Sequence, residues 1–154
     1  MTIRCEIVSQ DRMVYEDDVD IVIIPGTNGE MGILPNHAPV LSTLQYGIIK
    51  VRKGDEEHIF TATGGVVEVQ PDIITILADA SEDVEDIDIA RAEAAKESAQ
   101  RRLEEGPPPD TDAYMALEAA IRRSNLRLEA ARRFRRGGRA MPGFATGPTE
   151  ENEN

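Results

Sequence analysis

The sequence predicts an α+β protein: an N-terminal antiparallel β-sandwich followed by a C-terminal α-helical hairpin. Three observations carry this. Up to about residue 80, short apolar or alternating runs recur between turn residues, the period of half-buried strands. Past residue 81 alanine dominates, and neither glycine nor proline occurs until Gly106, a composition suited to helix. Then Gly106-Pro107-Pro108-Pro109 removes three consecutive backbone donors, so a helix reaching it has to break and reverse. At 154 residues the chain makes one full domain or two small ones, enough to bury a core but short for an elaborate enzyme.

In chain order, the strand signals are Ile3 to Ile7, Val19 to Ile24, Gly47 to Val51, His58 to Ala62, Val66 to Val69 and Ile73 to Leu77. Turn signals at Lys53-Gly54-Asp55 and Gln70-Pro71-Asp72 separate the later runs. The single cysteine, Cys5, lies in the first run and reads as a small buried hydrophobe; alone it forms neither an internal disulfide nor a cysteine-based metal cluster. Gly64-Gly65 lacks the Lys and Ser or Thr of a phosphate-binding loop and precedes a strand, so a tight turn or bulge before Val66 is expected. Two helices follow at about 86 to 104 and 111 to 136, with Asp86 expected as the first cap and Gly137-Gly138 as the final stop. On the second, Tyr114, Leu117, Ile121, Ser124, Leu128 and Ala131 form a seam, facing Ala92, Ala95, Ala99 and Leu103 of the first. Small residues bury little area, so this hairpin is expected to open readily. From Gly138 the composition turns to Gly, Pro, Thr, Glu and Asn, and disorder is expected there.

Charge divides the chain as sharply. The net charge is −12. Residues 1 to 80 and 81 to 121 carry −8 each, residues 122 to 139 carry +7, and the remainder −3. An acidic body with one cationic segment does not suit general nucleic-acid binding, and it points to a segment that meets an acidic partner. Arginines 122, 123, 127, 132, 133, 135, 136 and 139 make up that segment, interrupted only by Glu129. Cations in the last turns of a helix complement its macrodipole at ~0.3 to 1 kcal/mol each, which explains some of them. Arg122 and Arg123 lie too early for that reason to apply, so a solvated face and an acidic partner surface both remain open. No apolar run reaches the length of a membrane span and the start lacks the regions of a signal peptide, so a soluble, cytosolic chain is expected.

The densest signal is Gly29-Glu30-Met31-Gly32-Ile33-Leu34-Pro35-Asn36-His37-Ala38-Pro39. Its glycines permit positive φ and its prolines fix φ, which reads as a rigid protruding loop rather than a strand. His37 has no nearby nucleophile or orienting partner in the sequence, and the only other histidine is His58, so a structural or interface role outweighs catalysis or zinc. This stretch resembles the sheet-domain signature of the epsilon subunit of the bacterial F-type ATP synthase, with Met31 in place of the usual Leu. VYEDDVD from Val14, TGGVVEV from Thr63, ITILAD from Ile74 and EDIDIARAEAA from Glu85 resemble that family in the same order, over roughly residues 3 to 136.

The resemblance implies a non-catalytic rotor subunit of the proton-translocating ATP synthase. In that reading residues 1–84 form a sandwich that binds gamma and the c-ring, 85–138 a regulatory helical hairpin, and 139–154 a disordered tail. It also implies that Glu30, Gly32 and His37 meet the c-ring. Arg122, Arg123, Arg127, Arg132 and Arg133 would touch an acidic part of the beta subunits and inhibit ATP hydrolysis. The implied location is the cytoplasmic face of the cell membrane, held there through the complex. No cofactor is required and no metal is expected. Weak regulatory ATP is the one ligand implied, because Ile87-Asp88-Ile89-Ala90-Arg91-Ala92 matches the family's nucleotide motif. Glu82, Ile87, Asp88, Arg91, Ala92, Arg123 and Arg127 match its ATP-binding positions, whereas Ser98 stands where binding members carry arginine. Asp88 read without the family simply favours a helix start. Two functions of other classes remain as alternatives, a nucleotide-sensing module using the hairpin and a nucleic-acid adaptor using the arginine helix.

Overall fold

A computed structural model of the chain describes residues 1–135. Seven strands come first: β1 (Ile3–Val8), β2 (Met13–Val19), β3 (Ile21–Gly26), β4 (Gly29–Ile33), β5 (Val40–Lys53), β6 (Glu56–Val69) and β7 (Ile73–Ala78). A 3-10 turn (Val84–Asp86) then leads to α1 (Ile89–Glu104) and α2 (Thr111–Phe134). The hydrogen-bonded order is β2-β1-β7-β6-β5-β3-β4, antiparallel except for the parallel ladder between β1 and β7.

One ribbon serves both layers of the sandwich. The first half of β5 pairs with the second half of β6, which carries β7 and β1 beyond it; the second half of β5 pairs with the first half of β6 and with β3. The layers close on one another where Tyr15 of β2 packs on Phe60 and His58 of β6, ring centroids 5.2 and 5.5 Å apart. Lys53 also bonds both oxygens of Asp17 at 2.9 Å, and these bonds hold the Asp17 carboxylate below its ordinary pKa range. Because that pKa is lowered on folding, the contribution is present above the usual carboxylate range and is lost as acid protonates Asp17. Alternate residues of the strands, among them Ile3, Cys5, Ile7, Ile49, Ile74 and Ile76, fill a single core. Cys5 sits there as expected, and burial pushes its thiol up to about 12.

Several sequence expectations need correction. Gly29–Ile33 is strand β4, paired from Gly26↔Gly29 to Val22↔Ile33, because Met31 and Ile33 turn toward the core while Glu30 and Gly32 face out. Only the part from Leu34 is a loop, a turn with Pro35 at its second position, Asn36 at φ 63° and His37 N donating to Leu34 O at 3.2 Å. The run Val19 to Ile24 spans the corner between β2 and β3, and β2 itself is charged: Arg4 of β1 bonds Glu16 and lies 3.5 Å from Asp18. Gly64-Gly65 is neither a turn nor a bulge in the β5–β6 ladder, whose register is unbroken from Tyr46↔Thr63 to Leu44↔Gly65. Both glycines take positive φ inside a continuous strand, and a Cβ at Gly65 would lie 2.1 Å from Leu77 O.

Among the helices, the cap of α1 is Asp88 rather than Asp86. Asp88 accepts from Arg91 N at 3.0 Å, while Asp86 completes the 3-10 turn that brings Ile87 into an apolar cluster. Ala95 is exposed; the buried seam of α1 passes through Ala92 and Ala99 with Lys96 and Leu103 half-buried, because a spacing of four, three and four follows the 3.6-residue period better. On α2 Tyr114 is exposed, Leu117 and Ile121 are half-buried, and Ser124, Leu128 and Ala131 are buried, so the pair tightens toward the sandwich. α2 ends at Phe134, short of the expected 136, and Arg135 is extended so that its guanidinium reaches the carbonyls of the 3-10 turn segment. Gly137-Gly138, Arg136, Arg139 and the tail expected to be disordered lie outside the described residues.

The bend at Gly65 predicts that Gly65→Ala costs at least about 2 kcal/mol, since its Cβ meets backbone rather than a movable side chain. A thermal melt of the full chain checks this. A variant melting with the native protein would show that β6 tolerates a side chain at its bend.

Candidate functional site

Helix α2 is the element around which the candidate side chains gather. It docks on the sandwich through a small cluster in which Ala130 and Ala131 meet Ile59, Val84 and Ile87, with Ile48, Ile89 and Phe134 at the margin. Alanines allow the helix to come close, which brings the neighbouring arginines within reach of groups on the sheet. Arg127 donates through Nε to Glu82 Oε1 at 2.5 Å and through Nη2 to Oε2 at 3.4 Å. The Arg122 guanidinium lies 3.8 Å from the centroid of the Tyr46 ring. Arg132 and Arg133 point outward, and Arg133 pairs with Glu129 one turn back at 3.5 Å.

Arg123 and Arg127 also line a cavity of about 390 Å³ between α2 and the sheet. Glu82 lines it too, so these three sequence-selected residues come together. Sequence reasoning missed its other polar groups: Ser9, Asp11 and Arg12 from the β1–β2 turn, Thr61 and Thr63 from β6, and Ser81. Ser81 is only 9% exposed, and its Oγ is buried without a hydrogen-bond partner. Nothing local distinguishes Arg12 in the sequence, because only the β1–β2 pairing carries it to this edge. Three guanidinium groups and two carboxylates, Asp11 and Glu82, line the cavity together with the hydroxyls, and Glu82 already pairs with Arg127, which leaves Arg12 and Arg123 as the groups best suited to an anionic ligand.

Ile87, Asp88, Arg91 and Ala92 are not among the residues lining that cavity. Ile87 is buried beneath α2, Ala92 is buried in the helix seam, Asp88 is occupied as the α1 cap, and Arg91 is exposed. Ser98 is exposed on α1.

The other sequence-selected group lies on the sandwich. Glu30 is exposed beside the β3–β4 turn, Gly32 is exposed further along β4, and half-buried His37 lies in the loop beyond it. His37 Nδ1 donates to Ala38 O at 2.8 Å, which fixes the ring and, in the neutral imidazole, leaves Nε2 as an acceptor. Glu30 and His37 therefore occupy opposite ends of β4 rather than one cluster. Among the described residues, no group of three His, Cys, Asp or Glu side chains is placed to hold a metal ion.

The outer face of the other layer exposes an apolar row that the sequence did not single out. Met13 pairs with Val8, Val8 with Leu77, and Leu77 with Val66, crossing four strands. Leu77 is 53% exposed, and Leu41, 75% exposed, lies on the next strand. Among the described residues no helix is long and apolar enough to cross a membrane.

Comparison with known proteins follows the same division of the chain. Residues 2–84 match the family described as ATP synthase, Delta/Epsilon chain, beta-sandwich domain, and residues 85–132 match ATP synthase, Delta/Epsilon chain, long alpha-helix domain. The ATP synthase epsilon chain of Dehalococcoides mccartyi is 41% identical over 134 residues, 87% of this chain and 95% of the relative. That of Halalkalibacterium halodurans is 41% identical over 86% of this chain and 98% of the relative. A chain in the cryo-EM structure of the Euglena gracilis mitochondrial ATP synthase, OSCP/F1/c-ring in rotational state 1, superposes with TM-score 0.68 at 26% identity, covering 84% of this chain and 81% of that one.

Proposed function

The chain belongs to the ATP synthase delta/epsilon family, and from that premise we propose that it is the epsilon subunit of the central stalk in a proton-translocating ATP synthase. The observation that carries this is the match of both halves, in family order, to relatives covered almost end to end. In this reading the subunit is not itself catalytic. It sits at the cytoplasmic face of the cell membrane through the complex, its sandwich joins gamma to the c-ring, and its hairpin restrains ATP hydrolysis.

The exposed row from Met13 to Val66 suits gamma, because a contiguous apolar stripe on an otherwise acidic sandwich is stabilised by being covered. Glu30, Gly32 and His37 are assigned to the c-ring, with Glu30 offering a carboxylate and His37 an acceptor nitrogen from a rigid turn. Arg122, Arg123, Arg127, Arg132 and Arg133 are assigned to an acidic surface of beta when α2 leaves the sandwich. The charge asymmetry of the chain supports that step, since the arginine segment is the only strongly cationic one.

A second reading, regulatory ATP binding, is favoured by the cavity that Arg12, Arg123 and Arg127 line together with Ser81, Thr61 and Thr63. The phosphates would lie against those arginines and bridge α2 to the sandwich. One oxygen of the Asp88 carboxylate caps α1, and Arg91 lies exposed on that helix outside the cavity lining.

Three outcomes are expected. Val66→Glu combined with Leu77→Glu should leave the melting temperature near native but weaken capture by gamma more than about 100-fold, because two charges would be buried unpaired. Full co-purification of this variant with gamma would place the contact elsewhere. Neutralising Arg122, Arg123 and Arg127 together should raise ATP hydrolysis by the assembled enzyme about 3- to 10-fold with synthesis largely unchanged, each surface pair contributing only ~0.2 to 1 kcal/mol. Unaltered hydrolysis with the variant subunit bound would exclude the inhibitory role. Calorimetric titration of the chain with ATP should show weak binding that Arg12→Ala and Arg127→Ala each reduce about tenfold to a hundredfold, the loss of a charge-assisted bond at ~1.5 to 3 kcal/mol. Absence of binding heat in the native chain would remove the nucleotide reading.

A further inference from the structure

Three features of the docked helix act on the same few residues. The bidentate pair between Arg127 and Glu82 is largely withdrawn from solvent, the two side chains being 27% and 23% exposed. Glu82 is held for this contact in advance: its backbone N donates to Thr61 Oγ1 at 3.3 Å, and its carbonyl accepts from Thr61 N at 2.9 Å. Arg122 is stacked on Tyr46, and Arg135 Nη2 donates to the carbonyls of Val84 and Glu85 at 3.3 Å and to that of Ile87. The apolar part of the same interface is limited: Ala130, Ala131 and half-buried Phe134 of α2 meet Ile59, Val84 and Ile87, with Ile48 and Ile89 at the margin. The polar contacts therefore form a large share of what keeps α2 on the sheet.

We propose that Glu82, supported by Tyr46, is an internal stand-in for the acidic partner of α2, a latch that must release Arg127 and Arg122 before they can act outside the chain. The Nε edge of Arg127 is committed to Glu82, so an outside carboxylate can take that edge only after α2 has left the sheet. Glu82 thus sets how often the helix is available, without touching the partner itself. Its effect on hydrolysis rests on the inhibitory role proposed above; its effect on docking does not.

The test uses the full chain carrying Ala130→Cys, a position buried under α2 against β5 that a thiol reagent reaches only when the helix leaves the sheet. Cys5, buried in the sandwich core, serves in the same sample as the internal measure of unfolding. Glu82→Gln should raise the labelling rate at residue 130 about 5- to 30-fold while labelling at Cys5 stays slow, the change expected for loss of one or two kcal/mol of docking. Glu82→Arg should do the same, and adding Arg127→Glu to it should return the rate toward native by restoring the pair in reverse. An unchanged rate at residue 130 in Glu82→Gln, or no recovery in the reversed pair, overturns the latch. In the assembled enzyme Glu82→Gln should lower ATP hydrolysis. Faster labelling with unaltered hydrolysis would uphold the latch and refute the inhibitory role.

Discussion

The fold depends on two fourteen-residue strands that bend together. β5 and β6 stay in register along their length, so neither can turn from one layer of the sandwich into the other unless its partner does. The bend is possible because Gly64 and Gly65 adopt φ of 95° and 129°, and at Gly65 β7 passes too close for a side chain. With the ribbon bent, β7, β1 and β2 extend one layer, β3 and β4 extend the other, and both inner faces supply one core. The edges of that ribbon also fix the segment from Ala80 to Asp83, since Thr61 and Thr63 bond to it backbone to backbone. Glu82 owes its position to this extension of the sheet.

The two outermost strands are made of residues that discourage further pairing. β2 carries Glu16, Asp17 and Asp18, neutralised in part by Arg4 and Lys53, and β4 is short with two glycines. Charged and brief edges keep a sandwich from adding foreign strands. That same chemistry lowers strand propensity, so the edges are the elements hardest to read from sequence. The apolar row on the outer face is the opposite case, a surface left exposed among the described residues.

The helical hairpin follows a different physical rule. Its seam and its contact with the sheet are rich in alanine, with Leu128 and Phe134 as the larger groups, and guanidinium contacts to a carboxylate, a tyrosine ring and backbone carbonyls add to them. Interactions of that kind depend on a charge and its geometry rather than on a close-packed fit, so another carboxylate of the same geometry has the chemistry to make them. A core of large side chains would hold the helix more firmly and would remove the choice. In the docked arrangement the acidic body of the chain, through Glu82, supplies a partner for the arginines of α2.

Periodicity, turn residues and the Gly-Pro-Pro-Pro break were sufficient to determine the class of fold, the buried position of Cys5 and the span of α2 to within two residues at its described end, because these depend on local spacing and backbone chemistry. The arginine segment and the carboxylates near residue 82 were legible as charge. Other features were decided only in three dimensions. Arg12 and Ser81 join Arg123 and Arg127 because β6 pairs with the segment after β7 and lies across from the β1–β2 turn, contacts separated by tens of residues. Gly29–Ile33 became a strand because β3 offered it a ladder, and Asp88 replaced Asp86 as the cap because Ile87 was drawn into the cluster beneath α2. A residue's type states what it can bind, whereas which partner it meets is set by long-range pairing and burial that no local window of sequence contains.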